Sequence, residues 1–448
     1  MPTVYMETYG CQMNVADTDM VLGLLRQAGY ERTLDPAGAD VILINTCSVR
    51  ERAVERVRGR ASTLAQYKSA SRRVVLGITG CVAEHLREEL RGPTSCVDLV
   101  VGPDSYRRLP EHIERARAGE RVQDTHLDPH ETYQGLGPGL GPVSAPANGV
   151  VGHVAIQRGC DRFCTFCVVP FTRGRERASS PEEILRQVRA LAEAGYREVQ
   201  LVGQTVNSYH FREGEQEVSF AALLREVAAI NGIARIRFMS PYPLDFSPAV
   251  IAAMAELPKV CRHVHLPLQS ASDAVLERMR RGYGFAEYRA LVAALRAAMP
   301  EIAITTDLLV GFCGESEADF QATCQAQADV RFDNAFTFAY SERKGTLAAR
   351  KLKDDIPAEV KQRRLAQIIE QQRQITAEIY ALQVGRREQV LCESISRRSE
   401  HELLGRTSTF RPVIVTATSL AVGALVDVDI CRASPTSLYG QPINARGA

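Results

Sequence analysis

The sequence predicts an α/β protein in three parts: an N-terminal parallel α/β domain, a (β/α)6 partial TIM barrel, and a small all-β barrel at the C-terminus. Three observations predict it. Apolar strands alternate with amphipathic helices from residue 1 to about 125 and again from about 151 to 340, the pattern of parallel βαβ units. A stretch with five Gly and three Pro, residues 131–150, separates the two runs. Beyond about residue 384 the chain turns to short alternating runs rich in Val, Ile and Thr.

In the first run, strands are predicted at 3–8, 41–46, 73–78 and 97–101, with helices near 15–29, 50–69, 83–91 and 105–118. In the second, six strands are predicted at 153–157, 198–202, 235–239, 263–266, 303–310 and 334–340. The clearest helix start is Ser180-Pro181-Glu182-Glu183, a capping box with proline at the first helical position, and Gly195 closes that helix. Six consecutive βα units fit a partial barrel, whose working face is the C-terminal end of its strands. A long charged helix follows at 358–382, then strands at 388–392, 412–417 and 425–430 that suit a closed β-barrel. The domains expected are 1–125, a linker 126–150, 151–378 and 379–443.

Composition narrows the class. The 448 residues are 45% hydrophobic and 24% charged, with a net charge of +1, so any nucleic-acid site must be a local patch. No signal-peptide pattern and no apolar run long enough to span a membrane is visible, so a cytoplasmic protein with reduced thiols is expected. Its twelve cysteines then read as metal ligands and core residues.

Two groups of cysteines stand out. Cys160, Cys164 and Cys167 form a C-x3-C-x2-C run just after the first barrel strand. Three thiolates so spaced can hold three corners of a four-iron cluster and leave one iron open to a ligand. The rival is structural zinc, which normally takes a fourth Cys or His. Cys11, Cys47 and Cys81 are distant in sequence, yet each directly follows a predicted strand and precedes a helix. Ends of neighbouring parallel strands share one edge, where ligands bind, and helix N-termini favour thiolates. Each alone would read as a small buried hydrophobe; together they suggest a second three-thiolate cluster. Cys96, Cys261, Cys313, Cys324, Cys392 and Cys431 share no such pattern and are taken as packing residues.

The run Cys160–Cys167, with Phe166 before its last cysteine, resembles the signature of radical S-adenosylmethionine (SAM) enzymes. Tyr9-Gly10-Cys11-Gln12-Met13-Asn14, Asn45-Thr46-Cys47-Ser48-Val49-Arg50 and the stretch from Gly159 to Gly174 (GCDRFCTFCVVPFTRG) resemble the methylthiotransferases, most closely their MiaB-type tRNA-modifying branch. The likeness spans nearly the whole chain and implies an N-terminal methylthiotransferase domain, a radical SAM domain and a C-terminal TRAM domain.

The resemblance implies two [4Fe-4S] clusters and SAM as cofactors. Cys160, Cys164 and Cys167 would hold the cluster that binds SAM and cleaves it to a 5′-deoxyadenosyl radical, which takes hydrogen from C2 of an adenine. Cys11, Cys47 and Cys81 would hold the cluster that delivers sulfur. The implied substrate is N6-isopentenyladenosine next to the tRNA anticodon, and the product its 2-methylthio derivative. By the same analogy Phe166, Gln204, Asn207, Gln269, Asp307 and Gly311 would lie near SAM: Gln204 and Asn207 at its amino end, Gln269 at the ribose, and Asp307 with Gly311 at the end of the fifth strand, where glycine would permit close approach to the adenosine. Taken singly, each of these would read as a strand-end turn.

The implied partners are the tRNA anticodon stem-loop and a reducing donor of flavodoxin or ferredoxin type, with no membrane. The sequence sets no oligomeric state, and a monomer is expected. Residues 50–73 hold eight Lys and Arg against two acids, and residues 343–411 fifteen against nine. A charge run is usually a solvated face, so the pairs Arg386-Arg387 and Arg397-Arg398 in the β-barrel are the better phosphate candidates.

Two positions depart from the family pattern. Tyr242 stands in Ser240-Pro241-Tyr242-Pro243 where related enzymes often read Ser-His-Pro, and Lys344 replaces a common proline. Sibling enzymes acting on threonylcarbamoyladenosine or a ribosomal protein are the nearest alternatives, and a non-catalytic iron–sulfur RNA-binding protein is the rival of another class.

Overall fold

In a computed structural model, residues 1–48, 51–68, 73–92, 95–136, 149–416 and 420–443 are described. Val49, Arg50, Arg72, Ala417 and most of the Gly/Pro segment fall outside them. The first domain is a six-stranded, all-parallel sheet in the order Glu31–Arg32, Thr3–Tyr9, Val41–Thr46, Val75–Gly80, Leu99–Val101, Val122–Asp124. The two outer strands were not anticipated, because two or three residues carry no readable period. The Val41–Thr46 and Val75–Gly80 strands are buried at every position, as central parallel strands covered on both faces should be.

The second domain is the expected partial barrel. Its strands Val151–Ala155, Glu198–Val202 and Arg235–Phe238 form one parallel ladder, and His263–His265, Ala303–Val310 and Asn334–Ala339 form another. A single parallel bridge, Ile236 with Val260, joins the two ladders. One large apolar core lies between the strands and their helices. The helix Pro181–Glu193 starts as anticipated, with the Ser180 hydroxyl accepting from the Glu183 amide. Only half of the box forms, since the Glu183 carboxylate turns to Arg186 and Gln187. A two-stranded hairpin, His210–Glu213 with Gln216–Ser219, interrupts the second βα unit and was not foreseen.

The helix Ala358–Ala381 leads to a closed barrel of five strands, two of which, Ser399–Thr407 and Leu438–Pro442, were missed in the sequence. This β-barrel docks on the N-terminal ends of the α/β barrel strands. Arg235 donates to the carbonyls of Arg406 and Gln389, both at 2.6 Å. Arg237 is fully buried, bonds Glu198 at 3.1 Å, and reaches the Thr407 and Ser408 carbonyls. Phe410 stacks on His263 with ring centroids 4.9 Å apart. The small barrel therefore plugs the end of the α/β barrel opposite the strand ends where function is expected.

The N-terminal domain covers that other end. Its first helix, Gln12–Gln27, presses Met13 and Ala16 onto Val202 and Met239, at the C-terminal ends of the second and third barrel strands. Among the described residues no helix is long and apolar enough to cross a membrane.

Candidate functional site

Parallel register gathers the first three cysteines. Tyr9 pairs with Thr46, and Thr46 with Gly80, so three neighbouring strands end level with one another. Cys11, Cys47 and Cys81 follow those ends by one or two residues. Cys47 N–H bonds the Tyr9 carbonyl at 2.9 Å. Gly10 is needed for this approach, because a Cβ there would stand 2.8 Å from that of Cys47. A hydrogen bond from Cys47, reinforced by Arg173 and the backbone of Asn14 and Met13, pulls the Cys11 thiol down. Burial pushes the Cys81 thiol up although it opens a helix, and Arg173 opposes the rise.

Cys160, Cys164 and Cys167 sit on an arm that leaves the first barrel strand and closes on itself where Cys160 N–H meets the Gly174 carbonyl at 3.2 Å. Gly159, at φ +75°, permits this closure, and any Cβ there would collide with the Arg175 carbonyl. We expect Gly159→Ala to displace the arm and to lower the iron held by it at least severalfold, read as iron per chain in a protein lacking Cys11, Cys47 and Cys81. The backbone gives the sulfurs donors: Arg162 N–H to Cys160 at 3.5 Å and Val169 N–H to Cys167 at 3.4 Å. Arg281 adds a charged donor to Cys164 at 3.2 Å. Burial raises the Cys160 and Cys167 thiols, to about 11 and about 12. Loading a cation on such thiols must displace their protons.

No three His, Cys, Asp or Glu side chains among the described residues stand where one ion could be held by all of them. In a four-iron cluster each thiolate binds a different iron, so single-ion spacing is not the arrangement required. The donor set fits: three thiols per site, with hydrogen-bond donors already directed at sulfur.

The other expected site residues divide. Gln204 follows the second strand and its Oε1 is buried without a hydrogen-bond partner, an acceptor free for an ammonium donor. Asn207 is spent on the backbone, accepting from Tyr242 N–H at 2.7 Å and donating to its carbonyl at 2.8 Å. Phe166 meets Phe312 edge-on at 6.3 Å. Gln269 lies at φ +73° with its backbone tied to Asp307 and Leu309. Asp307 faces His265 at 3.4 Å. At Gly311 the close neighbour is Lys361 of the long helix, so the space its missing side chain leaves is filled by protein rather than left for adenosine.

Arg386 pairs with Glu301 at 3.2 Å and Arg387 with Asp429 at 3.6 Å, while Arg397 and Arg398 stand exposed at a hairpin turn. All four belong to the barrel that plugs the far end, opposite the end that carries the two cysteine triads. In the N-terminal basic run, Arg58, Arg60 and Lys68 are engaged by Glu89, Glu7 and Asp98.

Tyr242 explains its own departure from the family pattern. Its hydroxyl bonds the Arg281 carbonyl, and the Arg162 and Arg281 guanidiniums lie 4.5 and 4.7 Å from its ring centre. The side chain thus braces the arginine that reaches Cys164. Lys344 pairs with Glu89 at 2.8 Å and links the barrel rim to the N-terminal domain.

Sequence reasoning missed the residues that join the two sites. Asp17, on the first helix, bonds Arg158 at 2.8 Å and Arg173 at 2.7 Å, and all three are buried. Arg177 and Asp104 make a second buried pair across the same junction, at 2.9 Å. The traces in the sequence were Arg158, which directly precedes the arm motif, and Arg173 inside it.

A model of the Radical SAM superfamily matches residues 154–326, and one of the uncharacterized protein family UPF0004 matches residues 3–102. A tRNA-2-methylthio-N(6)-dimethylallyladenosine synthase from Pelodictyon phaeoclathratiforme is 42% identical over 442 residues, covering 98% of each chain. One from Chlorobium luteolum is 44% identical, covering 97% of this chain and 96% of its own. This chain belongs to the tRNA-2-methylthio-N(6)-dimethylallyladenosine synthase family. Membership in that synthase family accounts for both matched regions and for the sequence between and beyond them. Among solved structures, the radical SAM methyltransferase TsrM from Kitasatospora setae superposes with a TM-score of 0.56 at 14% identity, covering 87% of this chain and 81% of its own. That likeness concerns the fold.

Proposed function

We propose that this protein is a transferase that places a methylthio group on C2 of N6-isopentenyladenosine (dimethylallyladenosine) beside the anticodon of tRNA. The observation that carries the reading is identity above 40% with synthases of that name along nearly the entire chain. The two cysteine triads supply a matching chemistry. Cys160, Cys164 and Cys167 would hold one [4Fe-4S] cluster with SAM, and Cys11, Cys47 and Cys81 the other. When bound, these groups provide one-electron chemistry for an unactivated C–H bond, which acid–base side chains cannot attack, together with a place for sulfur.

The chain's own contribution is to orient and enclose. Arg281 and the Arg162 and Val169 amides offer donors to the arm's sulfurs. Gln204 keeps a free acceptor at the rim, suited to the SAM ammonium group. Met13 and Ala16 press the first helix onto Val202 and Met239 at the barrel mouth. An open cleft of about 510 Å³ beside Arg162 and Asn207 leaves room at the rim for a nucleoside-sized group. The reading includes a reducing donor of flavodoxin or ferredoxin type, since one-electron chemistry consumes an electron, and action as a monomer in the cytoplasm.

Nucleoside mass spectrometry of tRNA from a strain lacking this protein is the test. The 2-methylthio mark on isopentenyladenosine should disappear and return on complementation. If the mark persists, the substrate assignment is wrong.

A further inference from the structure

Arg173 belongs to the arm that carries Cys160, Cys164 and Cys167, yet its guanidinium lies in the other site. Its Nε donates to Cys81 Sγ at 3.1 Å, and its Nη2 donates to Asp17 Oδ2 at 2.7 Å. The side chain is 3% exposed, and Nη1 is buried with no hydrogen-bond partner. A buried guanidinium with an idle donor is costly, and proteins rarely leave one without a reason.

Charge deepens the anomaly. Asp17 is a single carboxylate facing two buried guanidiniums, those of Arg158 and Arg173. Arg158 also lies under the Tyr133 ring, 4.6 Å from its centre, which disperses part of its charge. Arg173 has Asp17 as its one carboxylate partner and otherwise stands among the thiols of Cys81 and Cys11. A thiolate-ligated centre bearing net negative charge would supply the missing counter-charge and an acceptor for Nη1.

We propose that Arg173 is a positioning residue that hydrogen-bonds the sulfur of the centre held by Cys11, Cys47 and Cys81, setting that centre's potential while locking the other triad's arm against it. This rests on the reading that those three thiols hold an iron–sulfur cluster. Hydrogen bonds and positive charge beside cluster sulfur raise its reduction potential. A lysine keeps the charge and loses the planar fork.

The test uses the full-length chain with Cys160, Cys164 and Cys167 replaced by alanine, reconstituted with iron and sulfide, so that one centre is loaded. Grown with ¹⁵N-arginine and reduced, it should show a ¹⁵N coupling to the cluster spin by pulsed electron paramagnetic resonance. Arg173→Lys should remove that coupling. The midpoint potential should move negative in Arg173→Met and return part of the way in Arg173→Lys. A loaded centre with no ¹⁵N coupling, or one whose coupling survives Arg173→Lys, overturns the proposal whether or not the other variants fold. Absence of iron from the reconstituted chain would instead defeat the underlying cluster reading, and this inference with it.

Discussion

Cys164→Ala should abolish both SAM cleavage and methylthiolation, whereas Cys11→Ala should abolish methylthiolation and leave 5′-deoxyadenosine formation in place. The asymmetry follows from where the two thiols stand. Cys164 is buried on the arm and receives Arg281, itself braced by Tyr242 and by the Tyr283 hydroxyl. Removing its sulfur leaves two thiols on the arm and takes away the acceptor of Arg281 Nη1. Cys11 lies across the domain junction, level with Cys47 and Cys81, and contributes nothing to the arm's closure. Outer-shell changes around metal sites alone cost about 10–100-fold, so loss of a ligand should exceed about a hundredfold in each affected activity. Chromatography of 5′-deoxyadenosine and of tRNA nucleosides from the same reaction reads both. Equal loss of both products in the two variants would count against divided roles.

The second large effect is on stability. Asp17→Ala should destabilise the docked N-terminal domain by about 3–5 kcal/mol, because it strips the counter-charge from two buried arginines at once. Burial works to raise the Asp17 carboxyl, but the Arg173 and Arg158 guanidiniums outweigh it and hold the carboxyl below its ordinary range. With a depressed native value, its stabilisation is present above the unfolded value, about 4, and is lost as pH falls through the native one. Thermal unfolding of the metal-free chain should therefore show the variant well below the parent at pH 7, with the gap narrowing below about pH 4. A gap that is absent at pH 7 would mean that the junction is held without Asp17, by its apolar contacts and its other ion pairs.

Much of the site could be read from the chain because its signals are local. The arm's thiols lie within eight residues, and their spacing alone suggests a cluster with an open iron. Cys11, Cys47 and Cys81 could be grouped because each repeats one local context, strand end before helix, and parallel sheets align such ends. The long helix was legible for the same kind of reason: its 24 residues sustain one period, against two for the outermost strand of the first sheet.

The contacts across domains were not legible. Asp17 meets Arg173 over a sequence separation of 156 residues, and nothing in either neighbourhood names the other. A buried ion pair looks in sequence like two ordinary surface charges, and only burial makes it decisive. Asn207 and Gly311 show the converse. Both occupy barrel-rim loops, but tertiary packing commits the amide of one to Tyr242 and the space beside the other to Lys361.

By itself the sequence singled out the six thiols, their grouping into two triads and the three-part α/β and β architecture, which rest on spacing and periodicity along the chain; the family rests on the likeness of its motifs. Tertiary structure alone decided that the N-terminal domain closes the cysteine end of the barrel and the small β-barrel plugs the opposite end. It also decided that Arg173 and Asp17 fasten one triad to the other. The reason is physical: docking is selected by matching buried charge and apolar surface between distant segments, and that match exists only once both have folded.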